Sequence, residues 1–394
     1  MRVLLAPGPM FPEPGGVPLV APELGLGADA VAQAIAAGWA QARPADALTL
    51  LPLPDGGPGT AQCVTGERIA SRRVLHAPGP LGQVRETDLV RLATPEPVDG
   101  HRRNGATWLL DAARLLALPA DRELAAREAQ SGTTTGLGQV LAAALRLTER
   151  GDTLVVTLAA TAVHDGGAGA LEGLGGVMRA RALMAGRELV LALADDTPLG
   201  GVGGAGQALS EVSAMSGQSA QELNLSACAA AARIAEQAGS LRGGLLPVAG
   251  GGGTDLSVTA RGTGAGGGAA LVLRALGARA LPGARVMSRL LGLEEAVAGQ
   301  DLVVTAAGEL FDVLADSVVA VVGGAAGDLA LPTVLVAGRL AVPRGELAEA
   351  GVVSAYPLQA PGVAQREAWN GGAPSSLRER LAAVGERLAR TWSR

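Results

Sequence analysis

The chain contains no lysine: all 32 of its basic residues are arginine. Any site for phosphate or carboxylate must therefore be built from arginine, backbone N–H groups or a metal ion. Cysteine is nearly absent too. Cys63 and Cys228 stand alone in distant segments, giving no basis for a disulfide framework or a zinc site. Aromatic residues make up 2% of the chain, so Ala, Val and Leu must fill the core. An excess of positive charge is missing as well. The net charge is −5, which argues against nucleic acid or an anionic membrane as partner. The most membrane-like window, 318–338, is broken by Asp328, Pro332 and glycines, and reads as a helix followed by a buried strand. The opening MRVLLAPGP breaks at Pro7 without a signal-peptide apolar region. The expectation is a soluble, cytoplasmic protein.

What the chain does have is length, apolar residues and glycine. It has 394 residues, 48% of them hydrophobic and 58 of them glycine, enough for two or three domains. Short apolar runs alternate with segments of helical spacing. Residues 2–6, 47–51, 154–158, 188–194, 301–305, 333–337 and 352–357 predict strands. Residues 28–41, 131–149 (with 131–135 as a hydroxyl-rich start), 220–238, 269–276 and 375–392 predict helices, and 107–118 also carries helical apolar spacing. Residues 8–27, rich in Pro and Gly, predict an irregular loop. Strands and helices alternate at both chain ends, so the expected class is α/β, with one parallel sheet assembled from the two ends and the middle inserted.

Glycine loops mark the ends of several predicted strands. The most prominent lies in TLVVTLAATAVHDGGAG, where a strand meets Asp165-Gly166-Gly167-Ala168-Gly169 and then a helix. Glycine lets a ligand approach the backbone, and helix N–H groups favour an anion. Asp165 is the carboxylate of that loop able to hold a cation. The same residues also suit a plain strand-to-helix turn. Asp55, in PLPDGGPGT, and Asp195-Asp196-Thr197-Pro198 have the same form. Carboxylates at the ends of parallel strands lie where such sheets bind ligands, and phosphoryl transfer uses a carboxylate for Mg²⁺ or for the hydroxyl proton; Asp is also a common turn residue. Thr133, Thr134 and Thr135 could serve a ligand or cap the following helix. His164 is a candidate base or a polar turn residue, and His76 and His101 fall in polar loops. Gly262 to Gly267 fits G-x-G-x-x-G after a strand-like LSVTA, but lacks the acidic residue about 20 positions on that a dinucleotide turn would want.

LPLPDGGPGT, VHDGGAGALEGLGG and LLGLEEAVAGQDLVVTAAG, in this order, resemble the type I glycerate kinase family from Met1 to about Leu358. The resemblance implies two α/β domains: a flavodoxin-like one from residues 1–68 and 285–394, and an inserted one from 69–284. It further implies ATP, Mg²⁺ and phosphorylation of glycerate, or a similar small hydroxy acid, in the interdomain cleft. Carried over by position, Asp165 and Asp195 would be catalytic and bind the metal. Asp55, Gly56, Gly57, Thr134 and Thr135 would meet the substrate. Gly166, Gly167, Gly262, Gly264 and Gly267 would lie along the nucleotide. Two departures stand out. The family's Ala-Pro-Asp-Ser-Phe-Lys is Ala6-Pro7-Gly8-Pro9-Met10-Phe11 here, and its Gly-Glu-Gly-Arg is Ala306-Ala307-Gly308-Glu309. Two cations are lost and an anion gained; Arg2, Arg43 or Arg339 could replace them if folding brings one near. The departures also suit a family member that keeps the fold and binds a ligand or partner without turnover.

Overall fold

The computed structural model describes residues 1–94, 98, 105–240, 255–311, 316–359 and 368–393. The chain divides into two compact units. The first joins Met1–Asp55 to Gly283–Arg394; the second is Gly56–Pro282.

The first unit begins with β1 (Arg2–Leu5), α1 (Ala28–Ala42) and β2 (Ala47–Leu50). β1 and β2 pair in parallel from Arg2↔Ala47 to Leu5↔Leu50. Between β1 and α1 the chain is irregular apart from a 3-10 turn at Pro14–Gly16, and it is pinned by a Met10–Leu26 bridge.

The second unit opens with 3-10 turns at Thr60–Cys63 and Gly66–Arg68, then a hairpin of β3 (Ile69–Pro78) and β4 (Val84–Leu92). There follow β5 (Thr107–Leu110), α2 (Arg122–Ser131), α3 (Thr135–Leu147), β6 (Thr153–Leu158), α4 (Ala168–Gly173), α5 (Val177–Met184) and β7 (Glu188–Leu193). It closes with α6 (Ala205–Val212), α7 (Gly217–Ser240), α8 (Ala269–Leu276) and β8 (Arg279–Pro282). The sheet order is β3-β4-β5-β6-β7-β8, antiparallel through β5 and parallel from β5 to β8.

The chain then returns to the first unit through α9 (Gly283–Leu290), α10 (Leu293–Val297), β9 (Leu302–Leu310), α11 (Val318–Gly327), β10 (Thr333–Leu340), α12 (Arg344–Glu349), β11 (Val352–Pro357) and α13 (Pro374–Trp392). Its sheet is wholly parallel, in the order β2-β1-β9-β10-β11. Counted within the unit this is 2-1-3-4-5, the doubly wound order of flavodoxin-like sheets, whose ligand crevice lies beyond the carboxyl ends of the first and third strands. The α/β class and the sheet built from both chain ends are therefore as the sequence implied.

Glycines set the closest packing. A Cβ on Gly38 of α1 would sit inside the Ala382 carbonyl of α13, and one on Gly385 of α13 would meet the Ile35 carbonyl of α1. The two chain ends are clasped at that crossing, over a core of Val31, Ile35, Trp39, Leu377, Leu381 and Leu388. In the second unit a Cβ on Gly138 of α3 would meet the Ala170 carbonyl of α4, and one on Gly173 of α4 the Thr135 carbonyl. This pairing brings the start of α3 against the Asp165 loop. The four tryptophans are each tied down: Trp39, Trp108 and Trp369 donate Nε1–H to Asp46, Asp152 and Glu309, and Trp392 to the Tyr356 hydroxyl.

Three local expectations differ from the structure. Residues 107–118 begin as β5 and continue as a 3-10 turn, not a helix. All four β5 residues are buried, so the strand lacks the alternation that would have marked it. LSVTA is not a strand, because the Val258 carbonyl accepts from Gly200 N–H and the Thr263 hydroxyl instead of a neighbouring strand. His76 lies within β3, with Nε2 3.1 Å from Glu86 Oε1, while His101 and the glycines of 243–254 lie outside the described residues.

Candidate active site

β5, β6 and β7 run in parallel side by side, and each leads at its carboxyl end into a segment bearing an aspartate: Asp111, Asp165 and Asp195. Asp165 is held by donors on both oxygens. Thr134 N–H (2.7 Å), Thr134 Oγ1 (2.8 Å), Thr133 Oγ1 (3.3 Å) and Gly169 N–H (3.2 Å) reach Oδ2. Gly167 N–H (2.9 Å) and Thr134 Oγ1 (3.0 Å) reach Oδ1. Thr134 stands at the start of α3, yet its hydroxyl does not cap that helix; it accepts from Ala170 N–H (2.8 Å) and donates to Asp165. Thr135 Oγ1 lies 2.8 Å from Thr133 Oγ1. The threonines thus anchor one loop to another.

The glycines explain how the loops approach. Gly166 and Gly167 have positive φ, as have Gly262, Gly266, Gly267 and Gly268. A Cβ on Gly267 would meet the Val163 carbonyl, and one on Gly268 the backbone of Gly166 at 2.8 Å. The later glycine run is also laced to the strand ends: Gly266 N–H donates to Ala159 O (2.9 Å), Gly264 N–H to Thr197 O (3.0 Å) and Gly262 N–H to Asp196 O (2.6 Å). Thr133 to Thr135, Asp165 to Gly169, Asp195 to Thr197 and Gly262 to Gly268 therefore meet at one edge of the second unit's sheet.

Asp195 differs from Asp165. Its described hydrogen bonds come from Thr197, whose N–H reaches Oδ1 at 2.8 Å and whose hydroxyl also donates to the carboxylate, and burial pushes its carboxyl above the usual range, with Asp196 adding to the shift. Asp196 is neutralised by Arg261, whose Nε lies 2.9 Å from Oδ2. His164 is buried, and Nε2 pairs with Asn224 Oδ1 at 2.9 Å. Burial holds its pKa below the ordinary imidazole value, so the ring is neutral near pH 7.

Gly56 and Gly57 lie in the second unit, in a loop where Thr60 Oγ1 donates to Gly57 O at 2.7 Å. Asp55 ends the first stretch of the other unit. In that unit, Ala6 to Phe11 runs past the carboxyl ends of β1 and β9, with Ala6 N–H on Val304 O (2.8 Å) and Gly8 N–H on Ala306 O (2.9 Å). Where the resemblance places cations, carboxylates gather. Glu13 is pushed up to about 8, first by burial and then by the charges of Asp55 and Glu309. Arg2 pairs with Asp301 at the amino end of β1, and Arg43, at the end of α1 and before β2, binds Ser393 O. Arg339 alone of the three lies at the carboxyl end. It is in register with Glu309 across β10 and β9, and its guanidinium sits 5.1 Å from the centre of the Phe311 ring.

Sequence reasoning missed Asp111, Glu13 and Asn224. Asp111 carries a signal of the same form as Asp165 and Asp195, an apolar run ending in Asp (WLLD), hidden by the helical spacing of 107–118. Among the described residues no group of three or more His, Cys, Asp or Glu could cage a metal ion. Mg²⁺, however, is often held by one or two carboxylates together with substrate phosphates. Asp195, whose described hydrogen bonds all come from Thr197, fits that mode. Asp165 would have to release a donor first.

A glycerate kinase family model matches residues 23–191 and 180–393. The chain is 31% identical over 349 residues to uncharacterised proteins of Mycobacterium bovis and Mycobacterium tuberculosis, covering 86% of this chain and 83% of theirs. It is 28% identical over 151 residues to a glycerate 2-kinase of Escherichia coli, covering 38% of this chain and 36% of that one. A crystal structure from Salmonella typhimurium, of a protein assigned by its solvers as a candidate glycerate kinase 2, shares the fold at a TM-score of 0.64 and 20% identity, covering 99% of this chain and 98% of that one. With both sheets, the strand-end loops and this family match in place, the chain belongs to the glycerate kinase family.

Proposed function

We propose that this protein phosphorylates a hydroxyl of glycerate or a similar small hydroxy acid, with ATP as phosphoryl donor and Mg²⁺ as its cation. The observation that carries the reading is the edge where Asp195 and the Asp165 loop meet the Gly262 to Gly268 run, in a member of this family. Asp195 is the group proposed to take the hydroxyl proton and to face Mg²⁺. A raised carboxyl pKa suits a base working near neutral pH. Asp165, saturated by N–H and O–H donors, is proposed to set the geometry of Gly166 and Gly167 beside the nucleotide, with Gly262, Gly264 and Gly267 as close-approach backbone. Thr134 acts through Asp165, and Thr135 offers the hydroxyl nearer to a ligand. Asp55, Gly56 and Gly57 form the substrate loop, and Arg339 is the arginine suited to an anionic group. Mg²⁺, when bound, would screen phosphate charge and orient the transferred group.

A second reading is favoured by one observation: Glu309 stands where the resemblance expects an arginine, and it and Asp55 place further negative charge beside Glu13. On that reading the protein binds a ligand or partner without turnover. Calorimetry with ATP and Mg²⁺, followed by Asp195→Asn kinetics, separates the two. The kinase reading expects nucleotide binding in both proteins and a kcat loss of about 100-fold or more in the variant. Absence of nucleotide binding in the native protein contradicts it.

A further inference from the structure

Asp111 has no exposed surface, and no step proposed above uses it. It directly follows β5, and its carboxylate has two described partners: Ala61 N–H on Oδ2 at 3.1 Å and the Thr157 hydroxyl on Oδ1 at 3.3 Å. Its main chain is fixed as well. Asp111 N–H donates to Asp88 O (3.0 Å), and its carbonyl accepts from the Thr87 hydroxyl and from Arg114 N–H. The charged groups facing it are Asp88 and Arg114, themselves paired at 3.6 Å. Asp111 thereby joins β4, β5 and β6 to the turn at Ala61.

The Ala61 peptide is gripped from both sides, because its carbonyl accepts from Arg72 Nη2 at 2.9 Å. Immediately before it lies the Gly56 to Thr60 loop. Gly56 and Gly59 have φ of +96° and +90°, a conformation that glycine adopts without preference. Such a loop does not set the direction of its own amides. A fixed peptide at its end does, and that peptide is held by a buried carboxylate that itself depends on the same N–H for compensation.

We infer that Asp111 is a positioning residue: through the Ala61 amide it holds the Gly56 to Thr60 loop in the form that receives a hydroxy acid. This rests on the reading of Asp55, Gly56 and Gly57 as the substrate loop. Thr60 N–H is already given to Gly57 O at 3.3 Å, so the Gly56 and Gly59 amides are the donors that a substrate carboxylate or hydroxyl would use.

The test is Asp111→Ala and Asp111→Asn in the full chain, measured by steady-state kinetics with D-glycerate and by hydrogen–deuterium exchange of the free protein. Asp111→Ala should raise KM about tenfold with kcat within about threefold, and exchange over 56–64 should quicken about tenfold while β6 and β7 stay protected. Asp111→Asn keeps an acceptor for Ala61 N–H and should restore most of both. Unchanged exchange over 56–64 overturns the inference. So does quickened exchange across β6 and β7 alike, which would make Asp111 an ordinary core residue. If the alanine variant fails to fold, Asp111→Ser, too short to reach Ala61, takes its place. If the native protein turns over no hydroxy acid, the exchange results still decide the role of Asp111, and the failure counts against the proposed function alone.

Discussion

Asp165 accepts from Thr133, Thr134, Gly167 and Gly169, so removing its carboxylate strands several donors at once. Asp165→Ala should cost about 2–4 kcal/mol of stability, measured by denaturant unfolding. Asp195→Asn, which keeps an acceptor oxygen for its Thr197 donors, should leave the unfolding midpoint nearly unchanged while removing activity. Asp111 makes a prediction in pH. Its carboxyl is pushed up to about 6 from 3.8 by burial, against the favourable bonds from Ala61 and Thr157. A group whose pKa is raised by folding lends stability below its ordinary value and loses it as pH rises through the folded one. The native protein should therefore lose about 2 kcal/mol relative to Asp111→Asn between pH 4 and 6.5. Parallel pH series of chemical denaturation check this; equal pH profiles would contradict it. At this scale the sequence disclosed Asp165 and Asp195 through their glycine and proline neighbours. It could not disclose that one carboxylate is saturated by donors from two loops and the other held by Thr197, since Thr134 reaches Asp165 only through tertiary packing.

Glycine decides which helices can touch. Gly38 and Gly385 let α1 and α13 cross backbone to backbone. Gly38→Ala or Gly385→Ala should each cost about 2 kcal/mol or more, because the obstructing atom is a carbonyl that cannot rotate aside. Thermal unfolding measures this, and a loss under about 0.5 kcal/mol would contradict the close crossing. Most helices were legible from apolar spacing and most strands from short β-rich runs. β5 was not, since a strand buried on both faces gives no alternation. LSVTA carried strand-like residues that local hydrogen bonds turned into a turn.

For the molecule as a whole, the alternation of strands and helices at both chain ends was enough to imply a parallel sheet made from distant segments. The strand order 2-1-3-4-5 required the structure. Its switch point carries Glu13, Asp55 and Glu309, and burial with those charges pushes Glu13 from 4.5 up to about 8. By the same linkage, the contribution of Glu13 to stability is complete below about pH 4.5 and is lost as pH rises through 8. The native protein should weaken relative to Glu13→Gln across that range, a trend readable from unfolding midpoints at pH 5, 7 and 9. The measurement that bears most directly on the account is ADP and phosphoester formation by the purified protein with ATP, Mg²⁺ and D-glycerate or a hydroxy-acid panel, followed by ³¹P NMR. The account predicts one phosphoester per ADP, abolished in Asp195→Asn. A folded protein that forms no phosphoester from any member of the panel would contradict it.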